Sequence, residues 1–287
     1  MSIFFQQVLN GLTLGSVYSL VALGLTLVYG ILHIPNFAHG ALYTAGAYVA
    51  FHLIGSLSWN YWVAMAGAAA VVALLAVMSD RLIFHPLRNS PPLHDMIAAI
   101  GLFLFLEAVV QAIWGAEFHR LQAPYPQIIR VFDLVAPAQR LLIIAAAFGL
   151  MFALHLFLTR TIVGSTIVAT AQSRDGAALV GIDATKVSVL TFAISGALAA
   201  VAATLFAPIN LVYPAMGNLV IMKAFVIIIL GGMGSVPGAI VGGLVIGFAE
   251  SFGAFYVSTD YKDIIAFLLL VLILSLRPEG LFASGAR

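Results

Sequence analysis

Long stretches of this sequence contain no charged side chain. Residues 1–79, 187–222 and 224–249 include no Asp, Glu, Lys or Arg. About 20 consecutive apolar residues form a helix that spans the roughly 30 Å hydrocarbon core of a bilayer, where lipid cannot hydrogen-bond to the backbone. The pattern therefore predicts an all-α polytopic membrane protein.

The composition leaves little sequence for a soluble domain. Of the 287 residues, 63% are hydrophobic and 8% are charged, and the mean hydropathy is +1.12. We therefore predict a single integral-membrane domain, residues 1–287. A net charge of +1 without a cluster of Lys or Arg argues against nucleic-acid binding. The absence of cysteine excludes disulfides, thiolate catalysis and Cys-ligated metals.

Proline, glycine and charged residues divide the apolar sequence into about nine predicted spans, with eight or ten as alternatives. Basic residues are more frequent in the connections on one side, which the positive-inside tendency places in the cytoplasm. Under this orientation, connection 115–140 is an external loop and segment 164–186 is cytoplasmic. The predicted spans cover residues 4–31, 38–57, 61–80, 95–114, 140–159, 187–212, 217–231, 236–257 and 262–276.

Two connections predicted on the cytoplasmic side carry no charge. Residues 33–39 (HIPNFAH) and 231–238 (GGMGSVPG) each place proline and small or polar residues between apolar runs. That composition is typical of broken or re-entrant helices in transporters. Two tight turns are an equally good interpretation.

His33, Asn36 and His39 form the nearest approach to a metal-ligand cluster. The spacing of six does not put both histidines on one helical face, and no third ligand is nearby. Hydrogen bonding to backbone groups near Pro35 is therefore the preferred interpretation. The sequence has no zincin motif and no nucleophile elbow, so it shows no enzyme active site.

The glycine-rich run that begins at Gly231 is not a phosphate-binding loop. None of the three lysines of the chain is followed by Ser or Thr, as that loop requires. ATP hydrolysis by this chain alone is therefore excluded. Glycines four residues apart predict close helix packing instead. The pairs are Gly11 with Gly15, Gly238 with Gly242, and Gly243 with Gly247.

Glu107, Lys223 and Glu250 lie inside predicted spans. A charge at the bilayer centre costs at least about 2.5 kcal/mol, so such groups line a translocation path or pair with a neighbouring helix. For Lys223, near the predicted outer boundary, snorkelling or a structural pair is the preferred interpretation. Glu250 lies deeper and is a candidate path residue.

The polar segment 164–186 is too long for a tight turn and too polar to span a bilayer. Within it, residues 169–179 predict a short amphipathic helix that Gly181 ends. Arg174 and Asp175, with the small apolar residues that follow, could dock into a cleft of another protein. An ordinary loop between spans is the alternative.

Four long motifs occur in a characteristic order along the chain. They are residues 11–48 (GLTLGSVYSLVALGLTLVYGILHIPNFAHGALYTAGAY), 171–183 (AQSRDGAALVGID), 230–243 (LGGMGSVPGAIVGG) and 258–282 (STDYKDIIAFLLLVLILSLRPEGLF). Together they resemble the branched-chain amino-acid ABC transporter permeases of the LivH type, over essentially the whole chain.

The resemblance implies an ATP-driven importer of branched-chain or other hydrophobic amino acids in the bacterial inner membrane. This chain would pair with a LivM-like second permease subunit. Two ATPase subunits would bind ATP and Mg, a periplasmic binding protein would deliver the substrate, and this chain would hold no cofactor. Import of urea, short amides or small aromatic acids is the alternative within the family. An ion-coupled secondary transporter that uses Glu107 or Glu250 is the alternative from another class.

The resemblance also implies two sets of site residues. The set that would seat a coupling helix on an ATPase subunit comprises Gln172, Ser173, Arg174, Asp175, Ala177, Ala178, Gly181 and Ile182. The set that would line or gate the path comprises Asn36, Phe37, His39, Gly40, Gly231, Gly232, Gly234, Pro237 and Gly238, with Glu250. Family members often have Arg where this chain has Val168 and Ala where it has Gly176. The external segment would face the binding protein with Glu117, Arg120, Arg130 and Asp133.

Overall fold

The computed structural model describes residues 2–33, 35–88, 90–131, 134–277 and 280–282. Helices dominate this part of the chain, which confirms the predicted helical class. In chain order they are α1 (Ser2–Leu32), α2 (Ala38–Gly55), α3 (Tyr61–Ser79), α4 (His85–Leu87), α5 (Pro92–Trp114), α6 (Ala138–Arg160), α7 (Ile162–Gln172), α8 (Arg174–Leu179), α9 (Ala184–Phe206), α10 (Met216–Gly231), α11 (Val236–Tyr256) and α12 (Lys262–Leu276). A π-helical turn, Asp80–Phe84, joins α3 to α4, and a 3-10 turn, Thr259–Tyr261, precedes α12.

Within the described ranges, six helices are long and apolar enough to cross a bilayer, so the chain is a multi-pass membrane protein. These are α1, α5, α6, α9, α11 and the continuous helix Tyr61–Leu87, which comprises α3, the π-helical turn and α4. The apolar helices α7 and α10 are shorter, as is the apolar part of α12, Ile264–Leu276. The predicted number of nine spans is not established by these lengths.

Helix α1 lies at the centre of the molecule. Of its most apolar window, 83% is buried inside the protein, against 22% for α5 and 28% for α6. Helix α1 contacts α6, α9, α10 and α11. A helix that buries one stripe leaves its other face to the solvent, which here is lipid. The outer helices α3, α5 and α6 therefore present most of their surface to the bilayer.

Glycines bring α1 and α11 into close contact. A Cβ atom on Gly15 would lie 2.9 Å from the Cα of Leu244, and one on Gly11 would lie 3.0 Å from the Cα of Phe248. A Cβ on Gly247 would overlap the backbone of Gly15. The predicted packing role of these glycine pairs is therefore confirmed.

The first uncharged connection folds back along α1 before α2 begins. The ring of His39 packs against Gly24, which lies eight residues before the end of α1, about 12 Å at 1.5 Å per residue. The His39 Nδ1 atom is 3.2 Å from the Oγ of Ser195, at the middle of α9. Helix α2 therefore starts beside the interior of α1 and α9, away from the ends of both helices. This arrangement favours the broken or re-entrant interpretation for this connection.

The second uncharged connection is a tight turn. Helix α10 ends at Gly231 and α11 begins at Val236. Gly232 and Gly234 have φ values of 99° and 84°, in the left-handed region that glycine adopts without steric cost. The Oγ of Ser235 accepts a hydrogen bond from the backbone N–H of Gly238 at 3.1 Å and so caps α11. Here the tight-turn interpretation is the correct one.

A β-hairpin interrupts the helices within segment 115–140. Strands β1 (Ile128–Val131) and β2 (Leu134–Pro137) pair antiparallel, with Ile129 opposite Ala136. The segment was predicted as a loop, and the hairpin corrects that prediction. Within the described residues, the fold is therefore helical except for these two short strands. A backbone bridge between His119 and Val212 ties the segment to the chain that follows α9. Asp133 and the side chain of Arg130 lie outside the described residues.

Candidate functional site

A cavity of about 550 Å³ lies at one end of the helix bundle. Helices α1, α6 and α10 begin at this end, and α9 and α11 end there. Under the predicted orientation this is the external end. Much of the lining is apolar, from side chains that include Leu14, Phe206, Ile209, Met216, Leu219 and Val220. Ligand cavities of about 300–1,000 Å³ with mainly apolar walls are typical of small-molecule sites.

Three polar side chains form the inner end of this cavity. They are Tyr18 of α1, Lys223 of α10 and Glu250 of α11. On each helix, this residue is the cavity-lining residue farthest from the end of the bundle where the cavity lies. Along α1 the lining runs from Gln7 to Tyr18, a distance of about 16 Å at 1.5 Å per residue. The three residues are 7%, 7% and 2% exposed, respectively.

Lys223 and Glu250 form a buried ion pair. The Lys223 Nζ atom donates a hydrogen bond to Glu250 Oε2 at 2.9 Å and lies 2.9 Å from Oε1. It also donates to the Tyr18 hydroxyl at 3.0 Å, and that hydroxyl donates to Glu250 Oε2 at 2.8 Å. The pairing interpretation for Lys223 is therefore correct, and snorkelling is not needed.

The carboxylate of Glu250 retains hydrogen-bonding capacity. Its Oε1 atom is buried and lies 2.9 Å from the Lys223 ammonium, so its charge is paired within the part of the chain that the structure describes. A carboxylate oxygen can accept two hydrogen bonds, so Oε1 can receive a further donor.

Helix packing places this cluster. Tyr18 follows Gly15 by three residues and Glu250 follows Gly247 by three, so each side chain lies on the face of its helix that carries the close α1–α11 contact. Side chains of a helix lean toward its N-terminus. Because α1 and α11 run in opposite directions, Tyr18 and Glu250 lean toward one another and meet.

The first predicted path segment contacts the same helices close to the cluster. The Phe37 ring lies 4.7 Å from that of Phe225, two residues after Lys223. A Cβ on Gly40 would lie 2.7 Å from the Cβ of Ile221, two residues before it. The Oδ1 atom of Asn36 accepts a hydrogen bond from the backbone N–H of Ala38 at 3.1 Å, in an Asx turn just before α2.

His39 is buried and both ring nitrogens have partners. Its Nε2 atom lies 3.1 Å from the carbonyl oxygen of Val21 and its Nδ1 atom lies 3.2 Å from Ser195 Oγ. Since a carbonyl only accepts, Nε2 carries the proton and Nδ1 accepts from the serine hydroxyl. This confirms the hydrogen-bonding interpretation, with Val21 rather than the residues near Pro35 as the backbone partner. Among the described residues, no group of three His, Asp or Glu could hold a metal ion.

The second predicted path segment lies apart from the cavity. Gly231 and Gly238 contact each other across the turn between α10 and α11. The backbone N–H groups of Leu281 and Phe282 donate to the carbonyl oxygens of Leu230 and Gly231. Of the ten predicted path residues, Glu250 alone lies in the described cavity lining.

The predicted cytoplasmic coupling segment folds as two short helices. Residues 169–179 were predicted as one helix, and this prediction is wrong because α7 ends at Gln172 and α8 begins at Arg174. The Oγ of Ser173 accepts a hydrogen bond from the backbone N–H of Gly176 at 3.0 Å. A serine cap of this kind favours an extended backbone, φ −156° and ψ 112°, and so separates the two helices.

Gly181 ends α8 as predicted. Its φ is +85°, its N–H donates to the carbonyl of Ala178, and the N–H of Ile182 donates to the carbonyl of Ala177. This pair of hydrogen bonds is the Schellman motif, in which glycine tolerates the left-handed conformation. The helix end is therefore determined locally by the sequence.

The coupling segment presents both apolar and charged side chains at its surface. Leu179 is 88% exposed and Val180 is 76% exposed, while Arg174 and Asp175 are also exposed. Ala177, also assigned to the coupling helix, is buried against its own chain at 4% exposure. Gln172, Ser173, Ala178 and Gly181 are exposed, and Ile182 is half-buried.

Comparison with known proteins identifies the family. The family model described as "Branched-chain amino acid transport system / permease component" matches residues 7–274. The chain belongs to this permease family. It is 37% identical to LivH of Escherichia coli K12 and 38% identical to BraD of Pseudomonas aeruginosa, both named high-affinity branched-chain amino acid transport system permease proteins. Each match covers 97% of this permease and 95% of the relative.

A more distant relative and one solved structure also match this permease. A probable branched-chain amino acid transport permease LivH of Methanocaldococcus jannaschii is 29% identical, over 91% of this permease and 87% of the relative. The solved structure of PsaBC from Streptococcus pneumoniae in complex with Fab aligns with a TM-score of 0.53 over 94% of this permease and 91% of that chain. Its sequence identity is 13%, so this likeness concerns the fold alone.

Sequence reasoning had not singled out Tyr18 as a site residue. Its signal is the spacing of polar residues on α1, because Gln7, Asn10, Thr13 and Tyr18 all line the cavity and share one face of the helix. Arg140 was also missed as a lining residue, and its Nη1 atom donates to Asn10 Oδ1. Polar residues at helical spacing in an apolar helix therefore mark the cavity face.

Proposed function

We propose that this permease is one translocation subunit of an ATP-driven importer of branched-chain amino acids in the bacterial inner membrane. The observation that carries the proposal is identity of 37–38% over 97% of the chain to permeases named for that transport system. The cavity agrees with it, because apolar walls suit aliphatic side chains and a buried pair of opposite charges suits the backbone of an amino acid.

The importer needs further subunits. A LivM-like second permease subunit would complete the path, and a periplasmic binding protein would release substrate at the external end, where the cavity lies. Two ATPase subunits would bind ATP and Mg, since this permease has no phosphate-binding loop. The permease itself would be a transport subunit without a cofactor, embedded in the lipid bilayer through about nine spans.

The coupling segment is the proposed docking site for an ATPase subunit. Leu179 and Val180 would enter a cleft of the ATPase, and Arg174 and Asp175 would orient the contact. Burial of a leucine side chain contributes about 1.5–3 kcal/mol. The Schellman motif at Gly181 fixes the end of α8, so the segment is presented in one conformation.

The first uncharged connection is the proposed gate beyond the cavity. Asn36, Phe37, His39 and Gly40 lie beside α1 and α10 close to Tyr18 and Lys223. The turn of Gly231, Gly232, Gly234, Pro237 and Gly238 would move with α10 and α11 at the cytoplasmic end. The resemblance to the family and these contacts support that assignment.

Uptake by the reconstituted complex tests the proposal. Proteoliposomes that contain both permease subunits and both ATPase subunits should accumulate leucine, isoleucine and valine only with internal ATP and external binding protein. Arg174→Ala/Asp175→Ala should lower ATPase association or uptake while the permease still inserts. Uptake of urea, short amides or aromatic acids in place of aliphatic amino acids, or uptake by this permease alone under an ion gradient, would contradict the proposal.

A further inference from the structure

We propose that Tyr18, Lys223 and Glu250 form a binding subsite for the zwitterionic backbone of the transported amino acid. The inference rests on the proposed function, because it assigns to the inner end of the cavity the part of the substrate that all α-amino acids share. In this subsite Lys223 receives the substrate carboxylate and Glu250 receives the substrate ammonium group. The tyrosine hydroxyl orients both side chains.

Charge balance is the first argument. A zwitterion that enters an apolar cavity loses its hydration, and each of its charges then needs a partner of opposite sign. Lys223 and Glu250 form such a pair with each other. An amino acid can exchange partners with them, so each of the four charges remains paired before and after binding. No proton needs to move, and the net charge of the site does not change.

The geometry of Glu250 is the second argument. Its Oε1 atom is buried and lies 2.9 Å from the Lys223 ammonium. A carboxylate oxygen can accept two hydrogen bonds, so Oε1 can receive a second donor. A substrate ammonium group at the inner end of the cavity would supply that donor. Glu250 can therefore receive a cationic ligand group as Lys223 turns to the substrate carboxylate.

The position of the cluster is the third argument. Tyr18, Lys223 and Glu250 come from three different helices, α1, α10 and α11, and all three line the cavity. The apolar walls lie between the cluster and the end of the bundle, with Leu14, Met216 and Val220 among them. An amino acid with its backbone on the cluster would therefore place an aliphatic side chain against apolar surface.

A purely structural ion pair is the competing explanation. Replacement of a buried ion pair by apolar side chains of similar volume is often neutral or stabilising. A structural role therefore predicts that joint replacement of the pair leaves transport intact. The subsite predicts that the same replacement abolishes binding of both substrate charges.

The test is uptake by the complete reconstituted importer with Lys223→Met/Glu250→Leu. Hydrogen bonds to charged groups are strong enough that their loss lowers binding roughly tenfold or more, so leucine uptake should fall at least by that factor. ATP hydrolysis stimulated by loaded binding protein should persist, because the coupling segment is unchanged. Leucine uptake by this double variant equal to that of the wild type would contradict the proposed subsite, whether or not basal ATP hydrolysis changed.

Controls separate folding and function from the subsite. Glu107→Gln alters a glutamate that lies outside the cavity lining and should leave uptake unchanged. If the Met/Leu variant fails to assemble, Lys223→Gln/Glu250→Gln keeps polar side chains of similar size and is judged by the same criterion. A wild-type complex that takes up no leucine would contradict the proposed function itself. Normal uptake by both the wild type and the double variant would contradict this inference alone.

Discussion

The charged side chains of the cavity and of the coupling segment differ in burial and in pairing. At the cavity, Lys223 and Glu250 are buried and paired within the chain. In the coupling segment, Arg174 and Asp175 are exposed and form no ion pair among the described residues. Exposed Leu179 lies beside them. The difference indicates two kinds of recognition, because a buried matched pair suits a small ligand and an exposed mixed surface suits another protein.

Removal of one partner of the buried pair should have the largest effect on stability. Glu250→Leu leaves the ammonium of Lys223 buried without its carboxylate, which costs about 3–5 kcal/mol. Thermal unfolding of the detergent-solubilised permease should therefore begin at a markedly lower temperature. The double variant Lys223→Met/Glu250→Leu should recover most of the loss. Equal destabilisation in the single and double variants would show that Glu250 acts through packing rather than charge.

The α1–α11 contact that supports the cavity should be the next most sensitive position. In Gly247→Ala the added methyl group overlaps the backbone of Gly15, and overpacking of this kind costs about 1–3 kcal/mol. Chemical unfolding in mixed micelles would measure the loss. Gly149→Ala is the matched control, since a Cβ there meets nothing within 4 Å. A Gly247→Ala variant as stable as this control would mean that the two helices separate without cost.

The sequence allowed prediction of features that depend on neighbours along one helix. Glycine pairs at a spacing of four share a face, so Gly243 and Gly247 could be assigned to helix packing without knowledge of the partner. The helical class and most helix positions followed from apolar runs in the same way. Lys223 and Tyr18 are 205 residues apart along the chain, and no local pattern indicates that they meet. The inner end of the cavity therefore required the tertiary structure.

The predictions that failed concern short elements controlled by single hydrogen bonds. Ser173 divides the expected 169–179 helix because its hydroxyl caps α8, while the apolar periodicity of the segment continues across the break. Strands β1 and β2 have four residues each, too few for a clear alternating pattern. Connections 33–39 and 231–238 have similar composition, yet only the first folds back between other helices. Composition alone could not distinguish them.

The exposed surface of the coupling segment should tolerate mutation in the isolated permease but not in the complex. Leu179→Asp replaces an apolar side chain that would be buried against the ATPase, and loss of about 1.5 kcal/mol or more weakens binding roughly tenfold. Co-purification or surface plasmon resonance with the ATPase subunit would measure this. Leu57→Asp, an exposed position outside this segment, should not weaken binding. Normal ATPase affinity in Leu179→Asp would place the docking surface elsewhere.

The smallest expected effect concerns Asp183, which caps α9 directly after the coupling segment. The backbone N–H groups of Lys186 and Thr185 donate to its carboxylate and lower the pKa of Asp183 below its usual value. A lowered folded-state pKa stabilises the cap above the unfolded pKa of about 3.9. That contribution is lost as the pH falls through the lower folded-state pKa.

Hydrogen exchange at the first turn of α9 would measure this cap. At neutral pH, Asp183→Ala should exchange faster than the wild type at the amides of Thr185 and Lys186, which lose their acceptor. The difference should shrink only at pH values below the unfolded pKa, where the wild-type carboxylate becomes protonated. Asp183→Asn keeps a capping oxygen without a titratable proton, so its protection relative to Asp183→Ala should not depend on pH. A wild-type profile that matched Asp183→Asn across this acidic range would show that the charge of Asp183 does not contribute to the cap.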